Sequence, residues 1–154
     1  MRILKIAGGV ITVLVIIIIF AAPIGPLPGF FIGGNATAAP ATWPDTSAVH
    51  EIKLKVPGTL PRVVIIWLIE YDDEIHVVGS SESGWVQRIG TGSDVEMNLM
   101  GNTYALRAEP VTDDLQGILG AYIAKYQPDY PEIVAGFPSI EEANGAFGVF
   151  RLNR

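Results

Sequence analysis

The side chains that most often carry chemistry are scarce in this sequence. It has no cysteine and two histidines, His50 and His76. Without thiols there is no disulfide, thiolate zinc site, iron–sulfur cluster or cysteine nucleophile. With only two histidines, no metal-ligand spacing stands out, and no metal is expected. A Ser–His–Asp hydrolase lacks the Gly-x-Ser-x-Gly turn that would support it. His76 alternates with Ile75 and Val77 and is expected to face solvent, as is His50. Glu70, Asp72, Asp73 and Glu74 read as a solvated turn. The most individual segment is Gly79-Ser-Ser-Glu-Ser-Gly-Trp-Val-Gln-Arg-Ile-Gly90. It gathers three hydroxyls, an indole and a guanidinium, and Ser83 is placed to cap a single helical turn bearing Trp85 and Ile89.

The elements that position this segment follow from charge and hydropathy. The chain has 154 residues, a net charge of -6, 17% charged residues and a mean hydropathy of +0.38. The acidity argues against nucleic acid as a partner. The hydropathy is too high for one soluble piece, and the charge too high for a multi-span protein. After Arg2 and Lys5 no charged residue occurs before Asp45. Residues 6–22, IAGGVITVLVIIIIFAA, would rise about 26 Å as a helix, near the minimum for a bilayer core. Residues 1–22 are therefore expected to be a transmembrane signal anchor in contact with membrane lipid. A cleaved signal peptide ending near Ala36-Thr37-Ala38 is the rival, but that site lies far beyond the apolar run. Arg2 and Lys5 keep the N-terminus cytoplasmic and put the rest on the outer, periplasmic side. Residues 23–45, rich in Pro, Gly and Ala, read as a tether without regular structure. Phe30, Phe31 and Ile32 are expected at the membrane surface or against the domain. Asn35-Ala36-Thr37 matches a glycosylation sequon, a pattern common by chance.

Residues 46–154 form the folded domain. His50 to Val56 alternates, with Ile52, Leu54 and Val56 on one face. Arg62 to Tyr71 is a continuous apolar run, Asp72-Asp73 a hairpin turn, and Glu74 to Gly79 the return strand. Asp94 to Met100 and Thr103 to Val111 are strands joined by a turn at Gly101-Asn102. Thr112 is expected to cap a helix carrying Leu115, Ile118, Leu119, Tyr122, Ile123 and Tyr126, which Pro128 ends. Ser139 and Glu142 form a capping box for a short second helix. A last strand runs from Ala146 to Leu152. The fold class expected is an N-terminal transmembrane helix plus an α+β domain, a small antiparallel split β-barrel with one or two packed helices.

This order of elements resembles the FMN-binding split-barrel superfamily, which includes pyridoxamine-phosphate-oxidase-like proteins and, nearest in pattern, deazaflavin-dependent nitroreductases. The resemblance runs over roughly residues 52–126. It rests on Ile66 to Val78 with its acidic turn, on Gly79-Ser80-Ser81, on Ser83-Gly84-Trp85-Val86-Gln87-Arg88, and on the hairpin from Val95 through Gly101 to Tyr104 and Ala108. The basic phosphate loop of the deazaflavin branch is replaced here by Val56-Pro-Gly-Thr-Leu-Pro-Arg62, with one positive charge.

The resemblance implies a cofactor, FMN or a deazaflavin coenzyme, lying across a barrel edge. Its phosphate would sit on Ser80, Ser81, Ser83 and Arg88, with Arg62 as a second basic residue, and Trp67 or Trp85 would flank the ring. It also implies a homodimer. Read from the residues alone, Trp85 is a barrel plug rather than a ring-stacking residue, Ser80 and Ser81 are turn residues rather than ligands, and Arg88 is equally a phosphate ligand or a salt-bridge partner of Glu82 or Asp94. No catalytic residue is assigned. Two functions remain: a membrane-anchored flavin- or deazaflavin-dependent oxidoreductase, nitroreductase-like, or a non-catalytic cell-envelope interaction module. The topology has a direct check. External protease should digest the C-terminal domain in intact spheroplasts, and protection of that domain would overturn the orientation.

Overall fold

The computed structural model describes residues 28–137 and 145–154, together with Ile11 and Pro23. The expected membrane anchor and the short helix after Ser139 lie outside the described residues, apart from those two positions. Among the described residues no helix is long and apolar enough to cross a membrane.

Eight strands form one sheet: β1 (Asn35–Ala36), β2 (Glu51–Val56), β3 (Arg62–Trp67), β4 (Ile69–Tyr71), β5 (Glu74–Ser80), β6 (Ser93–Leu99), β7 (Asn102–Pro110) and β8 (Phe147–Asn153). Helix α1 (Gly84–Ile89) follows β5, while α2 (Leu115–Tyr126) and α3 (Pro131–Ala135) separate β7 from β8. The strand order is β3-β2-β6-β7-β8-β5-β4, antiparallel throughout, and β1 pairs in parallel with the start of β7. The alternation read in β2 holds, because Ile52, Leu54 and Val56 are all buried. Asp72 and Asp73 both take positive φ, as do Met100 and Gly101, giving two hairpin turns of the primed kind. The second turn is centred one residue earlier than Gly101-Asn102, since Leu99 pairs with Asn102.

The run Arg62 to Tyr71 is not one strand. β3 and β4, its two halves, occupy opposite ends of the sheet order and meet at Leu68. The sheet thus curls into a half-barrel whose ends are joined through one buried residue. Leu68 is 0% exposed, so its backbone groups need partners within the protein. The Tyr126 hydroxyl accepts from the Leu68 N–H at 3.1 Å and lies 2.6 Å from the His50 carbonyl, to which it donates. Lys125 Nζ donates to the carbonyls of Leu68 (3.2 Å) and Thr46 (3.0 Å). Burial pushes the Tyr126 hydroxyl far above the ordinary tyrosine pKa, so it stays protonated.

Two cores result. The barrel interior holds Leu54, Ile75, Val77, Met97 and Leu152; a second cluster packs Ile69 and Val149 against Ile118, Tyr122 and Tyr126 of α2. The second core corrects the expectation for His76, which is 4% exposed. The face of β5 opposite Ile75 and Val77 is covered rather than wet. There His76 meets Tyr71 edge-on at 6.2 Å and pairs through Nδ1 with the Glu74 carbonyl. Helix α2 begins later than Thr112: Asp114, in the left-handed region, is its cap, accepting from the Gly117 N–H while Tyr71 donates to its other oxygen at 2.6 Å.

The segment read as a structureless tether is ordered from Pro28 on. Gly29 exchanges two backbone bonds with Val63 (2.8 and 2.7 Å). The Gly33 carbonyl accepts from Thr103 and Asn98, β1 fills the open edge of β7, and Trp43 is buried edge-on against Tyr104 at 5.3 Å. Prolines and glycines exclude a helix, but not a strap that covers a barrel mouth and a free strand edge.

These contacts lead to two expected outcomes. Tyr126→Phe leaves the Leu68 N–H and His50 carbonyl without their partner and should destabilise the fold by about 1–3 kcal/mol in thermal or urea denaturation; an unchanged stability would contradict the corner. Burial also holds the His76 imidazole below its ordinary value of 6.5. Above that pH it is neutral folded or unfolded. As pH falls below 6.5 the unfolded chain takes up the proton more readily, so stability declines. His76→Asn should flatten the decline between about pH 6.5 and pH 5, above the ordinary carboxylate range.

Candidate functional site

β5 ends at Ser80, and the chain turns through Ser81–Ser83 into α1. The turn is held by its own hydroxyls. Ser83 Oγ donates to the Ser80 carbonyl at 2.7 Å, and Ser81 donates through Oγ (3.1 Å) and N–H (2.9 Å) to Ala146 at the start of the β8 arm. Ser80 Oγ accepts from the Glu82 N–H at 3.3 Å. Ser83 occupies the cap position of α1, yet its side chain makes no capping bond.

Two glycines let the side chains of α1 approach the barrel closely. A Cβ on Gly79 would lie 2.2 Å from the Trp85 ring, so the indole rests on the bare backbone of β5. Trp85 also meets Phe150 at 5.9 Å and packs on the barrel core. A Cβ on Gly58 would lie 2.0 Å from Arg88 Nη1. Through that nitrogen Arg88 donates to the carbonyls of Pro57 (2.9 Å) and Leu60 (3.0 Å), tying α1 to the β2–β3 turn. The salt bridge expected with Glu82 or Asp94 is absent; Asp94 pairs with Arg107 at 3.0 Å.

Four of the residues singled out in the sequence converge. Arg62, Ser83, Trp85 and Arg88 line one cavity of about 240 Å³, with Val56 and Val64 as apolar wall. Among the described residues no carboxylate lines it, although the domain is strongly acidic. Sixteen carboxylates and eight of the ten basic residues lie from Asp45 onward, a net charge of -8. Arg62 is exposed at the first position of β3 and makes no hydrogen bond or ion pair among the described residues. Two guanidiniums on an acid-free wall suit an anion, phosphate above all.

The other residues lie elsewhere. Ser80 and Ser81 belong to the turn and do not line the cavity. Trp67 stacks on Tyr126 at 4.2 Å with 10° between the planes, in the second core. Sequence reading missed Pro28, which borders the same cavity, and a larger apolar cavity of about 740 Å³ bounded by Val86, Val111, Leu115, Leu119 and Phe147. No local signal marks the latter, because its walls come from α1, α2 and β8. Among the described residues no group of three or more His, Asp or Glu is placed to hold a metal ion.

No known family model matches the chain, and no curated protein does. Solved structures do. HutZ, the heme storage protein from Vibrio cholerae, aligns over 68% of this chain and 80% of its own, at 16% identity and a TM-score of 0.50. The FAD and heme binding protein from Mycobacterium smegmatis aligns over 70% of this chain at 15% identity and a TM-score of 0.51; the match spans 62% of that longer protein. A pyridoxamine 5′-phosphate oxidase-related, FMN-binding protein from Nostoc punctiforme aligns over 70% of this chain and 72% of its own, at 14% identity and a TM-score of 0.40. With its curled antiparallel half-barrel and few helices, the chain has the split-barrel fold.

Proposed function

We propose that the protein is a membrane-anchored split-barrel oxidoreductase that holds a flavin or deazaflavin by its phosphate in the Arg62–Arg88 cavity. The observation that carries this reading is the charge of that cavity: two guanidiniums and, among the described residues, no carboxylate within a domain of net charge -8. Arg88 Nη1 is engaged by two carbonyls, so an anion would meet its remaining nitrogens and the whole of Arg62. At about 240 Å³ the cavity is smaller than the roughly 300–1,000 Å³ of a complete small-molecule site. What it fits is the phosphate end of a mononucleotide. The fold neighbours described as heme storage and as FAD and heme binding support a planar redox cofactor as the ligand class. A bound flavin supplies hydride or electron transfer, which requires no protein acid or base. The chain's part is to bind and orient it.

One observation favours a second reading, a non-catalytic envelope module. The hydroxyls of Ser81 and Ser83 and one nitrogen of Arg88 are already engaged within the protein. Titration of the purified full-length chain with FMN and with a deazaflavin, read by flavin fluorescence, separates the two. Arg62→Ala removes no side-chain hydrogen bond or ion pair among the described residues and should weaken binding by about 1.5–3 kcal/mol, roughly 10- to 160-fold. Unchanged affinity in that variant would reject the phosphate assignment. Absence of binding by either cofactor would leave the second reading.

A further inference from the structure

We infer that the edge of the domain carrying Phe30, Phe31 and Leu60 rests on the lipid bilayer and sets the orientation of the barrel on it. These three side chains are 45%, 70% and 64% exposed. Single exposed apolar residues need no explanation, but these share one place. The antiparallel bridge between Gly29 and Val63 carries residues 30 and 31 alongside 61 and 62, next to Leu60. β3 is the end strand of the sheet, so the three stand at an outer edge. Arg62 is exposed in the same stretch. Aromatic and aliphatic side chains beside arginine are the composition of a surface seated at the lipid–water boundary.

The length of chain preceding this edge names the occupant. The continuous apolar run ends at Ala22, six residues before Pro28. Fully extended, six residues reach at most about 21 Å. A folded unit of about 110 residues is wider than that, having a radius of gyration near 13 Å, so its far side is out of reach and the Gly29 edge must lie near the membrane. Charge points the same way. A domain of net charge -8 is repelled by anionic lipid over most of its surface, whereas this edge adjoins the acid-free cavity of Arg62 and Arg88. The mouth of that cavity is then placed close to the lipid surface.

The inference rests on the anchored reading and is independent of the cofactor. Because the chain has no cysteine, single probes can be placed cleanly. Phe31→Cys, Leu60→Cys and, as distant exposed controls, Gln116→Cys and Ile133→Cys are labelled with an environment-sensitive fluorophore in the full chain. Each is reconstituted in phosphatidylcholine–phosphatidylglycerol vesicles with and without spin-labelled lipid. Probes at 31 and 60 should emit at shorter wavelength and be quenched several-fold more strongly than those at 116 and 133. Equal emission and quenching at all four sites, in protein that floats with the vesicles, would overturn the docking edge while leaving the anchor intact. Protein that fails to float would overturn the anchor and this inference with it.

Discussion

The structure depends on how one buried residue, Leu68, is accommodated. A sheet that curls until its two ends meet must pass its chain from one end to the other. Here it does so inside a single apolar run, with β3 on one side of Leu68 and β4 on the other. A bend of this kind breaks the ladder and leaves backbone groups that neither strand can satisfy. In the interior such orphans cost as much as lost hydrogen bonds. Consecutive residues of α2 meet the need: Tyr126 serves the Leu68 N–H and Lys125 the Leu68 carbonyl. Trp67, one residue before the corner, stacks on Tyr126 and adds apolar burial to the polar contacts. Thus α2 is docked by hydrogen bonds that the barrel requires.

The corner also determines where a ligand site can form. β3 leads away from Leu68 toward Arg62 at the other end of the strand, and the β2–β3 turn beyond it is held by Arg88 from α1. The cavity is therefore assembled from one strand end, one turn and one short helix. Gly58 and Gly79 permit the close approach of Arg88 and Trp85 respectively. Lys55, Arg107 and Arg154 pair with the carboxylates of Glu96, Asp94 and Glu74. Arg62 and Arg88 instead line a cavity with apolar walls, Arg88 donating to the carbonyls of Pro57 and Leu60.

Much of the barrel is legible in the sequence because its signals are local. The alternation of Ile52, Leu54 and Val56 reflects a strand with one interior face, and Asp72-Asp73 marks a turn that demands positive φ. What is not legible depends on contacts distant in the chain. Nothing within RVVIIWLIEY distinguishes Leu68 as a corner, since a bend and a straight buried strand use the same apolar residues. His76 sits in an alternation that normally implies a wet face; Tyr71 of the neighbouring strand, itself packed against the second core, covers it. Trp43 lies between Pro40 and Pro44 in an Ala- and Pro-rich stretch, and its burial is set by the barrel core that it meets at Tyr104. In the site, Ser83, Trp85 and Arg88 were readable as one segment, and Arg62 joins them only through the β2–β3 turn. Trp67 has the right residue type for stacking on a cofactor ring, but its stacking partner is Tyr126.

The central claim is that two arginines on an acid-free wall recognise a phosphate. Equilibrium dialysis of the full-length protein against FMN and against riboflavin, which differ only by the phosphate, tests it most directly. The account predicts that FMN binds at least about tenfold more tightly, by the 1.4 kcal/mol or more expected of a charge-assisted contact, and that the difference shrinks as salt is raised. Equal affinity for the two, or a preference for riboflavin, would contradict it.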